Sequence, residues 1–146
     1  MVIREAKPRD IEQIQIVRNS VKENTLSDPR LVSDHDCEYF ITTRGKGWVC
    51  ETDGKIVGFC IADLVKNNIW ALFIHPEYEN RGIGKQLHDV MLQWYFSKKQ
   101  TPVWLSTTPE TRAVGFYKKQ GWNEIGIHGE DEIKFEMTYT NWKKQQ

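Results

Sequence analysis

The stretch "FIHPEYENRGIGKQLHDVML" (73–92) sets Gly82 and Gly84 at the first turn of a helical pattern, with Arg81 and Lys85 beside them. A glycine inside a helix costs about 1 kcal/mol relative to alanine. The pair therefore needs a reason. The first turn of a helix leaves backbone N–H groups without partners, and the helix dipole adds partial positive charge there. Without Cβ atoms in the way, phosphate oxygens can reach those amides, and Arg81 and Lys85 add cationic groups on the same turn. The competing explanation is steric, with two small residues letting strand and helix pack closely. Two phosphate motifs are excluded. A P-loop would need glycine at Glu79 and a hydroxyl residue at Gln86, and a dinucleotide fingerprint would need a third glycine at Leu87.

The elements around this turn follow from periodicity. A short strand is expected over 2–6. A helix follows with Ile11, Ile14, Val17 and Val21 on one face and Asp10 as its cap. A break at Ser27, Asp28 and Pro29 precedes a second helix over 34–43. "GWVCET" and "KIVGFCIAD" flank Asp53-Gly54, a dipeptide suited to a two-residue hairpin. "NIWALFI" (68–74) is apolar without alternation, which predicts a central strand covered on both faces. Ile83, Leu87, Val90, Met91 and Trp94 predict a helix over 81–97. A strand over 101–106, a helix over 110–120 closed by Gly121, and strands near 122–128 and 133–140 complete the order. The expected fold is mixed α/β: a mostly antiparallel sheet of six or seven strands, about four helices and one central β-α-β crossover. One domain spans 1–140, and 141–146 is expected to be a polar tail.

Composition narrows the function. At 146 residues, 39% apolar with six tryptophans, the chain can bury a real core. Twenty basic and twenty acidic residues cancel, which argues against a nucleic-acid binder acting through its net field. No apolar run approaches the roughly 18–20 residues of a membrane span, and "MVIREAKPRD" has no signal core. Cys37, Cys50 and Cys60 lack metal or redox spacing and read as structural thiols of a cytoplasmic protein. The histidines lack metal spacing too, so no metal is expected.

"EYENRGIGKQL" resembles the acyl-CoA signature of the GNAT superfamily of N-acetyltransferases, Q/R-x-x-G-x-G/A, through Gly82, Ile83 and Gly84. Some thirty residues on, "TRAVGFYKKQGW" is similar to the family's A-x-x-F-Y-x-x-x-G-F/W segment through Ala113, Phe116, Tyr117, Gly121 and Trp122. Two positions depart from the pattern. Glu79 stands where the family prefers glutamine or arginine, and Glu110 where many members carry asparagine. The resemblance implies a fold with acetyl-CoA as acetyl donor, its pyrophosphate on the amides of Arg81, Gly82, Ile83, Gly84 and Lys85. It also implies a pantetheine arm against the backbone of Leu72, Phe73 and Ile74, with Phe116 beside it, and Tyr117 as general acid for the departing thiolate.

Acetyl transfer to an amine needs a neutral amine, a stabilised oxyanion and a proton for the thiolate. The base is not marked by any motif; Asp63, His75, Asp34, Asp36 and Glu38 are candidates by placement. The acceptor is expected to enter opposite the cofactor, between the segment 22–40 and the turn 128–132. Glu23, Asp28, Asp34, Asp36 and Glu38 on one and Glu130, Asp131 and Glu132 on the other could attract a cationic amine. The expected partners are a small-molecule or peptide amine, with a homodimer left open, and neither nucleic acid nor membrane. The competing function is a GNAT-fold module that binds acyl-CoA without turnover, which release of free thiol with a panel of amines would distinguish.

Overall fold

In the computed structural model, which describes residues 1–146, Asp53 and Gly54 have φ of 51° and 75°. These left-handed values are what a tight hairpin turn requires. They join β2 (Gly45–Thr52) to β3 (Lys55–Asp63) with Thr52 opposite Lys55. β1 (Val2–Glu5) pairs antiparallel with β2, and β4 (Asn68–Ile74) antiparallel with β3. α3 (Ile83–Lys98) then crosses to β5 (Val103–Thr107), which lies parallel to β4. With β6 (Asn123–His128) and β7 (Glu132–Met137), the seven strands run β1-β2-β3-β4-β5-β7-β6. The sheet is antiparallel apart from the one crossover, as the pattern predicts.

Helices cover both faces. α1 (Ile11–Ser20) and α2 (Asp34–Tyr39) pack on one through Ile11, Ile14, Val17 and Cys37. On the other, α3 contributes Ile83, Leu87, Met91 and Tyr95, and α4 (Arg112–Lys119) contributes Tyr117. Strand periodicity divides the sheet residues between the layers: Trp48 and Cys50 of β2 lie under α3, while Val49 lies under α1. All three cysteines are buried and free.

Two bulges break the ladders. Between β2 and β3 the register passes from Cys50–Gly58 to Glu51–Ile56, leaving Val57 extra. Between β3 and β4 it passes from Ile61–Ala71 to Ala62–Ile69, leaving Trp70 extra. A bulge bends its strand and increases the local twist, and bulges concentrate beside active sites.

Three expectations are corrected. α1 ends at Ser20, because Val21 has extended backbone (φ −72°, ψ 151°). The second helix divides into α2 and a π-helical turn over Phe40–Arg44. The polar tail is instead a fifth helix, α5 (Tyr139–Lys144). Thr138 caps it by accepting from the Asn141 amide at 3.1 Å, and Trp142 stacks on Phe96 with ring centroids 5.0 Å apart. Tyr139 and Trp142, three apart, share the face that packs on the core.

Glu110 stands out among the non-glycine residues of positive φ. The others are Asn24, Asp53, Asn67 and Asn80, whereas Glu110 has φ of 63°. The left-handed region costs an ordinary L-residue roughly 1–2 kcal/mol, less for asparagine. Glu110→Asn is expected to stabilise the fold by about 1 kcal/mol and raise the melting temperature by roughly 2–4 °C. Calorimetry checks this, and an unchanged or lower melting temperature would mean that the strain is absent.

Candidate active site

The parallel pair β4–β5 touches at one ladder position, Asn68 opposite Trp104. From Leu72 to Ile74, β4 is laddered only on its β3 side. The two strands therefore part, and a cavity of ≈ 1050 Å³ opens at the split. Leu72, Phe73 and Ile74 line it from β4, Gly82–Lys85 from the start of α3, and Ala113, Phe116 and Tyr117 from α4.

The start of α3 opens onto this cavity as an uncapped helix N-terminus. Gly82 is the N-cap residue in left-handed conformation, φ 80°, and no side chain caps the helix. The first turn-closing bond runs from the Gln86 amide to the Gly82 carbonyl at 3.2 Å. The amides of Ile83, Gly84 and Lys85 thus precede any intrahelical acceptor and sit on residues that line the cavity. The structure separates the reasons for the two glycines. Gly82 is required by its positive φ. Gly84 has no such φ, and a Cβ there would lie 3.8 Å from Phe116 Cε1 and 3.9 Å from Ile74 Cγ1, ordinary contact distances. Packing within the chain does not demand glycine at 84. What the absent Cβ leaves open is the approach to the amides.

Tyr117, 6% exposed, reaches the same cavity from below. It packs against Phe116, Trp122 and Phe135. Burial, and secondarily the nearby Cys60, push its phenol well above the ordinary value of 10, so it holds its proton throughout the physiological range.

Residues 11–122 match the sequence model of the acetyltransferase (GNAT) family. The chain belongs to that family. It is 28% identical over 98 residues, 66% of its length, to the peptidyl-lysine N-acetyltransferase YiaC of Escherichia coli strain K12. It is 36% identical over 89 residues, 59% of its length, to the peptidyl-lysine N-acetyltransferase YjaB of Salmonella typhimurium. These matches span 63% and 56% of the relatives' own lengths. Among solved structures, the PaiA N-acetyltransferase of Thermoplasma acidophilum, crystallised with coenzyme A, superposes with a TM-score of 0.84 at 20% identity, covering 94% of this chain and 98% of that one. At that identity the likeness establishes the GNAT fold.

Within this GNAT domain, eight of the nine residues expected at the cofactor line the cavity: Leu72, Phe73, Ile74, Gly82, Ile83, Gly84, Lys85 and Phe116. Arg81 does not; its guanidinium lies over the Tyr78 ring, 5.0 Å from the centroid. Lys85 pairs with Asp89 one turn along α3 at 2.6 Å. The departure at Glu79 also finds its partner. Its carboxylate pairs with Arg112 at the start of α4, and Arg112 also contacts Glu23, 3.5 Å away in the loop after α1. Asn24 of that loop accepts from Thr107 Oγ1 and the Thr108 amide, at 3.2 and 3.0 Å. The loop over 21–24 is thereby pinned across the end of β5 and forms one wall of the cavity.

Four of the five candidates for a base have other partners. Asp63, 1% exposed, pairs with Arg44 (Nε to Oδ1 3.1 Å) at the far end of β3. His75 accepts from the Glu77 amide at 3.1 Å, capping a turn. Asp36 closes a reciprocal capping box with Ser33 at the start of α2, and the Asp34 carboxylate lies 3.4 Å from Gln15 Nε2. None of Asp34, Asp36 and Glu38 lines the main cavity. Glu132 accepts from Ser106 at 3.0 Å. The acidic cluster expected around the acceptor is therefore dispersed, with only Glu23 on the main cavity.

His88 was not among the sequence candidates. Its Nε2 accepts from Trp122 Nε1 at 2.9 Å, so the ring is neutral with its proton on Nδ1, 2.9 Å from Asp89 Oδ1. Burial lowers its pKa below the ordinary 6.5, despite the opposing pull of Asp89. The unfolded chain thus binds a proton there at a pH where the folded one does not. Stability is full above pH 6.5 and falls as pH drops below it, by at most about 1.4 kcal/mol per pH unit. His88→Gln, which keeps an acceptor for Trp122 without titrating, is expected to flatten urea-unfolding stability between pH 6.5 and 5. An unchanged slope would assign the acid sensitivity to other groups.

Proposed function

We propose that the protein is an N-acetyltransferase that moves the acetyl group of acetyl-CoA to a primary amine. The observation that carries this reading is the meeting, on one cavity, of three unpartnered α3 amides, the open edge of β4 and the Tyr117 phenol. The cradle that a Cβ at residue 84 would narrow fits a pyrophosphate; the unladdered stretch Leu72–Ile74 fits an extended pantetheine amide chain. Acetyl-CoA supplies the acyl carbon and a thiolate leaving group.

The chain's own residues do the rest. The amides of Ile83, Gly84 and Lys85 hold the donor by its phosphates. A backbone N–H within Leu72–Ile74 polarises the thioester carbonyl. The neutral amine attacks, the new C–N bond replaces the C–S bond, and Tyr117 gives its proton to the thiolate and regains one from the ammonium by way of solvent. No carboxylate of the cavity is free to act as base, since Glu23 and Glu79 both engage Arg112. The deprotonated amine is drawn from solution.

The test is release of free thiol from acetyl-CoA in the presence of amino acids, polyamines and lysine peptides. Thiol release that depends on an amine, with the acetylated amine found by mass spectrometry, is the expected result. Tight binding of CoA with no release across the panel would make the domain a non-catalytic acyl-CoA module instead.

A further inference from the structure

On the opposite face of β4 from α3 lies a second cavity, ≈ 220 Å³, smaller than the 300–1,000 Å³ usual for a whole ligand. It suits one end of a molecule. Its walls are apolar, from Val32, Phe59, Trp70 and Ala71, and α1 places Gln15 and Arg18 in it. Both side chains are incompletely paired. Arg18 Nη1 and Gln15 Oε1 are buried without a hydrogen-bond partner, two of only three such side-chain atoms in the molecule. Native structures seldom leave buried polar atoms orphaned, and each instance calls for an explanation.

Arg18 has no carboxylate partner either. Its pKa is lowered by burial alone, with no opposing charge close enough to restore it. Its guanidinium carbon lies 4.0 Å from the centroid of Phe73, which also lines the main cavity. The group is thus held in place by stacking while its donors stay free. Gln15 is fixed as well: its Nε2 donates to the Val32 carbonyl at 2.7 Å, which leaves Oε1 as the free end. The pair presents a cation with free donors next to a lone acceptor. In a low-dielectric pocket, an unpaired guanidinium is costly and its attraction for an anion is strengthened. The complement is a carboxylate with an N–H or O–H beside it. Trp70, the extra residue of the β4 bulge, forms part of the wall, so the pocket sits where the strand is distorted beside the split.

We infer that Arg18 and Gln15 form the specificity subsite for the acceptor: the amine that is acetylated also carries a carboxylate, which Arg18 holds while Gln15 Oε1 accepts from a neighbouring N–H or O–H. This rests on the acetyltransferase reading above, and it replaces the cation-attracting acidic mouth expected from sequence.

Two measurements on the intact protein test it. The first is thiol release with free amino acids against their carboxamides, and with lysine peptides bearing glutamate against glutamine beside the lysine. The carboxylate member of at least one set is expected to have roughly 100-fold higher kcat/KM, and the set that shows the preference tells a free amino acid from a peptide. Arg18→Gln should remove that preference and leave the carboxamide or glutamine member within threefold. Gln15→Glu, which places an internal carboxylate beside the guanidinium, should do the same. Equal rates for both members in every set, in a protein that does acetylate amines, would overturn the subsite and leave the acetyltransferase reading standing. The second measurement needs no turnover: calorimetric titration of the same acids and peptides. If no amine supports thiol release, binding of an acid that is lost in Arg18→Gln sustains the subsite, and absence of binding overturns it. Arg18→Gln is expected to melt at or above the parent's temperature, since it removes an unpaired, partly buried charge. A large drop would mean that stacking on Phe73 is why Arg18 is kept, and would overturn the assignment.

Discussion

Gly84→Val is expected to abolish tight CoA binding, weakening it by roughly 100-fold or more, in a protein that melts no lower than the parent. The two halves of the expectation come from different facts. Residue 84 is in the first turn of α3 with no positive φ, and a Cβ there meets Phe116 and Ile74 at ordinary contact distance. Valine is also a better helix former than glycine by a few tenths of a kcal/mol. The fold therefore has no reason to suffer. The phosphate does. Valine's γ carbons would stand where oxygens must come within about 3 Å of the amides, and hydrogen bonds to a charged group contribute about 1.5–3 kcal/mol each. Losing one or two accounts for the factor of 100. Gly84→Ala provides the graded control, since the family signature allows alanine there; its affinity should fall less than tenfold. The measurement is calorimetric titration of CoA together with a melting curve. Parental affinity in Gly84→Val would place the phosphates elsewhere.

The glycine pair at the start of α3 was legible in the sequence because the feature is local. Two glycines on a helical start, beside Arg81 and Lys85, are an oddity visible within five residues. The hairpin at Asp53-Gly54 and the periodicity of α3 were legible for the same reason. What was hidden depends on contacts between distant segments. Arg18 and Gln15 fall on the apolar side of α1, at positions i+7 and i+4 from Ile11, a spacing that could have flagged them. That they lack partners is a statement about every residue near them, and no sequence window contains it. The bulge at Trp70 was invisible because an uninterrupted apolar run has no alternation to break. The polar look of "NWKKQQ" concealed Trp142, which is partly buried against the core where it stacks on Phe96 of α3. The acidic residues erred in the opposite sense. Their count was plain, but their uses were local ones, such as the cap that Asp36 closes with Ser33. A carboxylate three residues after a serine was the available warning.

Tyr117→Phe is expected to lower kcat by roughly 10²–10⁴-fold while leaving CoA affinity within about twofold. The magnitude is that of a positioned acid removed from a step in which a thiolate must be protonated. The selectivity for kcat follows from the geometry: the phosphate seat and β4 are separate residues, and the ring that remains still packs on Phe116, Trp122 and Phe135. Because burial holds the phenol's pKa far above 10, the proton is in place at any working pH, and the parent should show no loss of rate from phenol ionisation between pH 6 and 9. Stability separates this role from a structural one. The influences on the Tyr117 phenol are burial and Cys60, with no hydrogen bond among them, so deleting the hydroxyl should cost the fold little. The experiment compares steady-state kinetics, CoA titration and melting for parent and variant on an acceptor that the parent turns over. A variant that melts with the parent, binds CoA as well and turns over at the parental rate would remove Tyr117 from the chemistry and leave the thiolate to take its proton from water.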